Sequence, residues 1–524
     1  MPFSAHPAKS IPVASYGRFR RWRMLWWIPG GPLVLLLLVL LFYTNENWRG
    51  RRAWAAYQRV LQADGVDFNW HALTPPPVAD RDNFAATPFF ATLFDYVPGT
   101  HTPRDVVAYN RSASFAQTGA PYDDAWRGND SALVMFRRQR TDLAAGLQLF
   151  QSANTRAKSS VEAEPDNGHR AATAQAVLAE LAKFNPVLDE LRAASRRPQA
   201  RFNFNYEETN SWLMAQPHLP VLQRVSRVLA LRASAELALP DASAAAGDVQ
   251  LIFKLADSIR DEPFRSSIFA RFAMLADARQ IIWEGLADRR WSDAQLAEFI
   301  SHLQEISPLH DLRNPLRVEQ AARNELFDEV HRHPAMVKNW QLGTGFWNGV
   351  LPYYLWLMPS GWMYQEQVSY QRDFEELLAP ALASEPTWVR PSSIDQANHG
   401  ISSWWNHRVL SDALLQSAQW LLIQGAFAQS VNHQTLIACA LERYRQANGQ
   451  FPESLEMLTP QYLADLPPDV TIGQPLKYRR TDDGQFQLYS LGWNGQDDGG
   501  KIVLRPDGKT MDILQGDWVW PPYP

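Results

Sequence analysis

A mainly α-helical chain with a single N-terminal transmembrane helix, an irregular array of α-helical hairpins and a small α+β C-terminal domain is the fold class that three features of the sequence predict. Residues 25–43, opening at Leu25 and closing at Tyr43, carry no charge and are about long enough to cross a bilayer. Ala-rich amphipathic segments joined by short turns follow one another from about 130 to 335, the pattern of antiparallel helical neighbours. The last ninety or so residues change to short runs of strand character punctuated by Gly, Asp and Pro. The chain therefore divides into a basic cytoplasmic tail (1–24), the transmembrane anchor (25–43), a juxtamembrane helix with Pro- and aromatic-rich loops (44–129), the hairpin region (130–335), an aromatic-rich segment with buried helices (336–429) and the α+β end (430–524).

Within the anchor, Pro29, Gly30, Gly31 and Pro32 break regular structure, so the helix is predicted to start near Pro32 and to run through the apolar stretch 33–42. Trp26, Trp27 and Ile28 on one side, and Tyr43 and Trp48 on the other, extend the span and put aromatics at both interfaces. No small-x-small site follows Phe42, and the continuation YTNENWRGRR favours an uncleaved signal anchor over a removed leader. Lys9, Arg18, Arg20, Arg21 and Arg23 precede the span, against Arg49, Arg51 and Arg52 after it. That bias puts the N-terminus inside, the anchor in an inner (cytoplasmic) membrane and the bulk of the chain on the periplasmic or extracytoplasmic side. The first 52 residues hold eight bases and one acid, so the remainder carries a formal charge of −12 against −5 for the whole chain. Such an acidic outer part argues against nucleic acid as a partner.

A single cysteine, Cys439, excludes an intramolecular disulfide framework, and 21 Trp and 25 Phe supply a core instead. Cys439 shares an apolar stripe with Leu436, Ala440 and Tyr444 and reads as a packed thiol. The juxtamembrane helix is expected to close at Gly65, and the prolines between 74 and 125 to mark loops wrapped on a surface. In the hairpin region Leu178, Leu181 and Leu188 mark one helix and 221–239 is another, with Ala230, Ala233 and Ala235 at helix contacts. Asp241 is expected to cap the next, with Val249, Ile252, Ala256 and Ile259 on its inner face. Ser292 and Gln295 form a capping box opening a further helix to about Ile306.

Residues 339–365 carry no charge, yet Pro352, Pro359 and four glycines argue against a second span. An aromatic core loop, a surface resting on lipid headgroups and an aromatic ligand cleft all fit this stretch. A second uncharged run, 413–441, is interrupted by Gln416, Gln419, Gln424 and Gln429 and is expected to form a buried helix pair.

In the α+β end, Asn448-Gly449 is a left-handed helix stop, followed by Phe451-Pro452 and a short helix from Ser454. PLKYRR, a TDDG turn at 481–484 and QFQLYSLGWNG then form a hairpin. This segment, about 430–520, resembles the globular end of the major pseudopilins of type II secretion. The likeness rests on Tyr444, Gly449, Phe451, Pro452, Leu455, Leu458, Leu466, Pro467, Asp469, Tyr478, Tyr489, Ser490, Leu491, Gly492, Gly495, Gly499 and Gly500. It departs at the front, where no leader and Phe-x-x-x-Glu start of a filament subunit precede Leu25. With PSGW at 359–362 and GDWVW at 516–520, the chain is also similar to large envelope proteins of planctomycete and verrucomicrobial type, a likeness that carries no activity. The resemblance to pseudopilins implies calcium in the loop after Ser-Leu-Gly, for which this chain offers the Leu491 carbonyl, Asn494, Asp497, Asp498, Asp512 and Asp517. A solvated Gly/Asp turn is the alternative.

Gly495 to Lys501 matches GxxxxGK in spacing alone: no Ser or Thr follows and two aspartates sit where phosphate would, so no nucleotide is expected. The sequence holds no HExxH, GxSxG or dinucleotide fingerprint. His331 and His333 point to opposite sides of a helix, His399, His407 and His433 are scattered, and Glu207 and Glu208 are adjacent without converging. The function expected is that of a membrane-anchored, extracytoplasmic, non-catalytic binding or assembly protein, a scaffold of the bacterial envelope with an envelope protein as partner and a link to secretion. The alternative is a hydrolase acting on envelope material in an aromatic-lined cleft. Carboxylates or histidines converging beside residues 353–362 would favour it.

Overall fold

The computed structural model describes residues 19–98, 100, 102–117, 139–150, 167–203, 206, 216–339, 345–383, 388–395, 407–508, 510–521 and 523; Glu207, Glu208, His399 and the side chains of Trp26, Trp27 and Ile28 lie outside the described set. The structure is mainly helical, and its strands are few, short and antiparallel. The chain forms two units. Met1–Val66, Phe327–Ser369 and Ser403–Val409 make the first; Asp67–Leu326, Tyr370–Ser402 and Leu410–Pro524 make the second.

The first unit is built on the anchor helix, Phe19–Ala63. It begins upstream of the predicted start and runs through Pro29 and Pro32, each of which removes one amide from a helix that is otherwise uninterrupted. Its segment Gly31–Ala63 is, among the described residues, the one helix long and apolar enough to cross a membrane. Every side chain from Leu33 to Phe42 is exposed on this helix. The helix closes where expected, with Gly65 at φ +85° and the Val66 amide donating to the Leu61 carbonyl at 2.9 Å. From residue 345 on, the uncharged stretch is helical rather than a core loop: Gly345–Leu357 and Ser360–Asp373 are separate helices, divided at Pro359. The anchor helix meets the second of these backbone to backbone. A Cβ on Gly50 would lie 2.0 Å from the Gly361 carbonyl oxygen, and one on Gly361 would lie 1.9 Å from that of Glu46. Only glycine fits either place.

In the second unit, helices His218–Leu237, Ser243–Asp257 and Arg265–Ala287 pack on one another. Ala233 and Ala235 are fully buried between them, as are Val249, Ile252, Ala256 and Ile259. The expected cap is realised differently: Ala242 occupies the cap position, and Asp241 Oδ1 accepts from the Ser243 amide at 2.9 Å. The capping box at Ser292 and Gln295 opens Asp293–Glu305 as read. The Pro-rich segment, where described, folds into short helical turns that bury Phe84, Phe89, Phe90, Leu93 and Phe115, because its prolines set turns while its aromatics supply core. The second uncharged run is not a helix pair. It belongs to one helix, Val409–Asn448, in which Gly425 admits Leu312 and the glutamines find partners, Gln419 on the Ile394 carbonyl and Gln434 on that of Trp518.

Gly449, at φ +80°, stops that helix, and Cys439 is buried within it. Strands β1 (Lys477–Arg480) and β2 (Phe486–Ser490) pair antiparallel through the Thr481–Gly484 turn, with Lys477 opposite Tyr489. Strands β3 (Ile502–Leu504) and β4 (Met511–Gly516) form a second hairpin, and β5 (Trp518–Val519) returns to β2. The closing GDWVW owes its tryptophans to the core: Trp518 packs edge-on against Phe427, and the Trp520 amide donates to the Leu488 carbonyl at 2.9 Å.

Two predictions follow from this packing. Ala233→Leu overfills a closed helix contact and should destabilise the protein by about 1–3 kcal/mol; an unchanged melting temperature would place the site at a surface. Asp277, buried in Arg265–Ala287 and accepting from Ser226 Oγ at 2.7 Å, is pushed by burial up to about 6 despite Arg227, Ser226 and Arg279. Its folded value is above its ordinary one, so its contribution is favourable while protonated and is lost as pH rises through about 6. Asp277→Asn should therefore gain stability over the wild type at pH 8, by up to about 3 kcal/mol, with the difference closing towards pH 4. Thermal unfolding across that range checks it; a pH-independent difference contradicts it.

Candidate functional site

The acidic C-terminal loop hangs from a buried junction. Asp469 Oδ1 accepts from Ser490 Oγ at 2.9 Å and from the Thr471 amide at 2.9 Å, while Oδ2 accepts from the Leu491 amide at 3.0 Å. This ties the Leu-Pro-x-Asp stretch to Ser-Leu-Gly. Beyond it, the structure separates the five expected side-chain ligands. Asn494 Nδ2 donates to Asp498 Oδ2 at 3.1 Å. Asp517 Oδ2 accepts from the Gly500 amide at 2.7 Å, which φ +79° at Gly500 turns towards it, and Oδ1 is buried without a partner. Burial raises the Asp517 carboxyl, the amides of Gly500, Asp498 and Lys501 oppose this, and the Asp498 charge adds to the rise. Asn494, Asp498 and Asp517 thus share one end of the loop. Asp497 is turned away, accepting from Tyr489 Oη at 3.0 Å and from the Gly499 amide at 3.1 Å with Lys477 Nζ 3.6 Å off, which holds it below its ordinary range. Asp512 Oδ1 accepts locally from the Leu514 amide at 3.0 Å. Among the described residues no three His, Cys, Asp or Glu side chains gather as metal ligands, so a cation here would take two carboxylates, Asn494 and carbonyl oxygens.

In the first unit, groups that a hydrolase could use do gather beside Trp362. Glu46, Glu366 and His407 are 6%, 3% and 8% exposed. Each is engaged. Trp362 Nε1 donates to Glu46 Oε2 at 3.0 Å, Arg49 pairs with the same oxygen at 3.1 Å, and the Val409 amide donates to Glu366 Oε1 at 2.8 Å. The His407 ring lies 4.8 Å from that of Trp362, and burial, with Arg49 nearby, lowers its proton affinity. The Gly361 amide donates to Asn47 Oδ1 at 2.9 Å, so the cluster doubles as the clasp of the glycine contact.

The second unit holds a cleft of about 740 Å³ lined by Pro75, Lys254, Asp257, Arg260, His302 and Arg313, among others. Two of its lining acids are held from behind by Arg271, wholly buried, which pairs with Asp257 at 3.2 Å and with Asp311. Arg260 Nε lies 2.9 Å from Asp311 Oδ1, and His302 Nε2 lies 3.1 Å from Asp257 Oδ2 with its ring stacked on Phe253. Burial would raise Asp257, but the hydrogen bond from His302 and the Arg271 charge outweigh it and keep the carboxyl below its ordinary range. Asp257 is thus ionised and paired at neutral pH, and Asp311 is paired with both Arg260 and Arg271.

His331 and His333 are exposed at a helix end, and His433 is half-buried with Nδ1 2.8 Å from the Pro468 carbonyl oxygen, its titration pushed down by desolvation to about 4. The cleft residues lie far apart in sequence and share no motif, which is why spacing did not mark them. No family model, curated protein or solved structure matches the chain.

Arg271→Met should leave Asp257 and Asp311 without their buried counter-charge and cost about 3–5 kcal/mol, read as a lowered denaturation midpoint. An unchanged midpoint would mean that these acids are held by packing alone.

Proposed function

We propose that the chain is a single-pass membrane-anchored protein of the bacterial envelope, with its bulk outside the cytoplasm, that acts as a non-catalytic binding or assembly scaffold. The observation that carries this reading is the commitment of its convergent charged groups to structure. Glu46 and Glu366 beside Trp362 are buried and hydrogen-bonded, and Asp257 and Asp311 in the cleft are held by Arg271. A long apolar helix whose side chains are all exposed from Leu33 to Phe42 supports the anchor. Protease added to spheroplasts should digest everything beyond about Trp48; a protected C-terminal domain overturns the topology.

The same reading takes calcium as the ion of the C-terminal loop, with Asn494, Asp498 and Asp517 as side-chain ligands and the Leu491 carbonyl as a further donor. The buried, partnerless Asp517 Oδ1 and the adjacent Asp498 charge support it, since two neighbouring carboxylates repel unless a cation compensates them. Melting of the full chain in detergent should rise with calcium and not with magnesium, by the equivalent of about 2.7 kcal/mol at a hundred times the dissociation constant. Asp498→Asn should abolish the rise while Asp497→Asn keeps it. Identical melting in calcium and in chelator would leave the loop an ordinary turn.

A further inference from the structure

We infer that the outer face of the Gly345–Leu357 helix is a second bilayer contact, seated in the headgroup–acyl boundary of the leaflet from which the anchor helix emerges. The inference rests on the reading of that helix as a membrane span. Its first support is the distribution of side chains. Leu351, Leu355 and Met358 are buried and face the protein, whereas Gly349, Tyr353, Trp356 and Leu357 face out on the opposite side, at the i, i+4, i+7, i+8 spacing of one helical stripe. Tyr353 is 70% exposed, Trp356 73% and Leu357 58%. A water-facing helix ordinarily carries charge on its outer stripe, but there is none anywhere in 339–365. Tyr and Trp with one apolar side and one polar atom are the residues that settle at a bilayer interface.

The second support is height. Tyr43, the residue that ends the exposed apolar run of the anchor, donates through its hydroxyl to the Leu357 carbonyl, and the Phe42 ring lies edge-on to Trp362 at 6.1 Å. The outward stripe therefore ends level with the point where the hydrocarbon run ends. Trp48, exposed with Arg52 stacked on it at 5.2 Å, lies five residues further along the same helix, roughly 7.5 Å at 1.5 Å per residue. That distance is about the depth of one headgroup layer. The aromatics of the 345–357 helix thus begin where lipid begins and continue the interface that the anchor already makes. The helix does not add a span, since its thirteen residues cover only about 20 Å of a roughly 30 Å core, and Pro352 lies inside it.

The third support is rigidity. The contact of Gly50 on Gly361, the Asn47–Gly361 hydrogen bond and the Glu46–Trp362 hydrogen bond fix this part of the unit to the anchor. The stripe cannot be carried away from the membrane without breaking them, so the contact sets how the first unit stands on the bilayer as well as adding affinity.

The test uses the full chain in liposomes of phosphatidylethanolamine and phosphatidylglycerol, with a nitroxide on Tyr353→Cys, Trp356→Cys, Leu37→Cys or Val60→Cys; the native Cys439 is buried and stays unlabelled. All four positions are exposed, so the label does not disturb packing. Collision with oxygen over collision with a water-soluble nickel chelate should be several-fold higher at 353 and 356 than at 60, and highest at 37. An aqueous ratio at 353 and 356 with a lipid ratio at 37 overturns the second contact and leaves the anchor standing. An aqueous ratio at 37 overturns the span itself. Loss of both collisions at 353 and 356 means that a protein, a second copy or another chain, covers the stripe, which also overturns the inference.

Discussion

The close approach of Gly50 to Gly361 is the contact on which the first unit depends. At that separation no side chain can stand between the two helix backbones, so the polar groups around them must be satisfied across the contact. The neighbouring residues do this: Asn47 takes the Gly361 amide, Glu46 takes the Trp362 indole and Arg49 neutralises Glu46. An N-terminal helix whose apolar half is exposed is thereby made one wall of a folded unit. The cluster of acids and histidine beside Trp362 follows from the same geometry, as the polar lining of a tight joint.

The second unit settles its buried charge in a similar way. Arg271 holds Asp257 and Asp311 beneath the cleft, and Arg192 and Arg232 converge on Asp248, at 2.6 and 3.1 Å. Such groups are costly to bury singly and tolerable when paired, so they specify the register of the helices that carry them. The result is a cleft whose acids, Asp257 and Asp311, are held in place by arginines.

Local signals were legible wherever the physics is local. The capping box at Ser292, the left-handed stop at Gly449, the turn at 481–484 and the packed thiol at Cys439 each depend on neighbours within a turn or two. What spacing could not show was destination. Prolines between 74 and 125 announce turns but say nothing of whether Phe84, Phe89 and Phe90 point in or out, and they point in. The glutamines of the run 413–441 announced burial but not that one helix, Val409–Asn448, would carry them, since the partners of Gln419 and Gln434, the carbonyls of Ile394 and Trp518, belong to distant segments. The stretches around Asp469, Ser490 and Leu491 meet in one hydrogen-bonded junction, but of the ligands expected nearby, Asp497 and Asp512 are turned to other partners. Gly361 itself was visible only as part of PSGW; nothing in the sequence says that Gly50 would be its counterpart.

Hydrogen exchange of the reconstituted full chain tests the glycine joint most directly. If the contact makes the C-terminal half of the N-terminal helix part of the folded unit, amides from 44 to 63 exchange slowly in the wild type. In Gly361→Ala, whose added Cβ would meet the Glu46 carbonyl, they should exchange much faster, while the amides of the 265–287 helix keep their protection. Equal protection of 44–63 in both proteins would contradict the account, because the helix would then owe its order to something other than this contact.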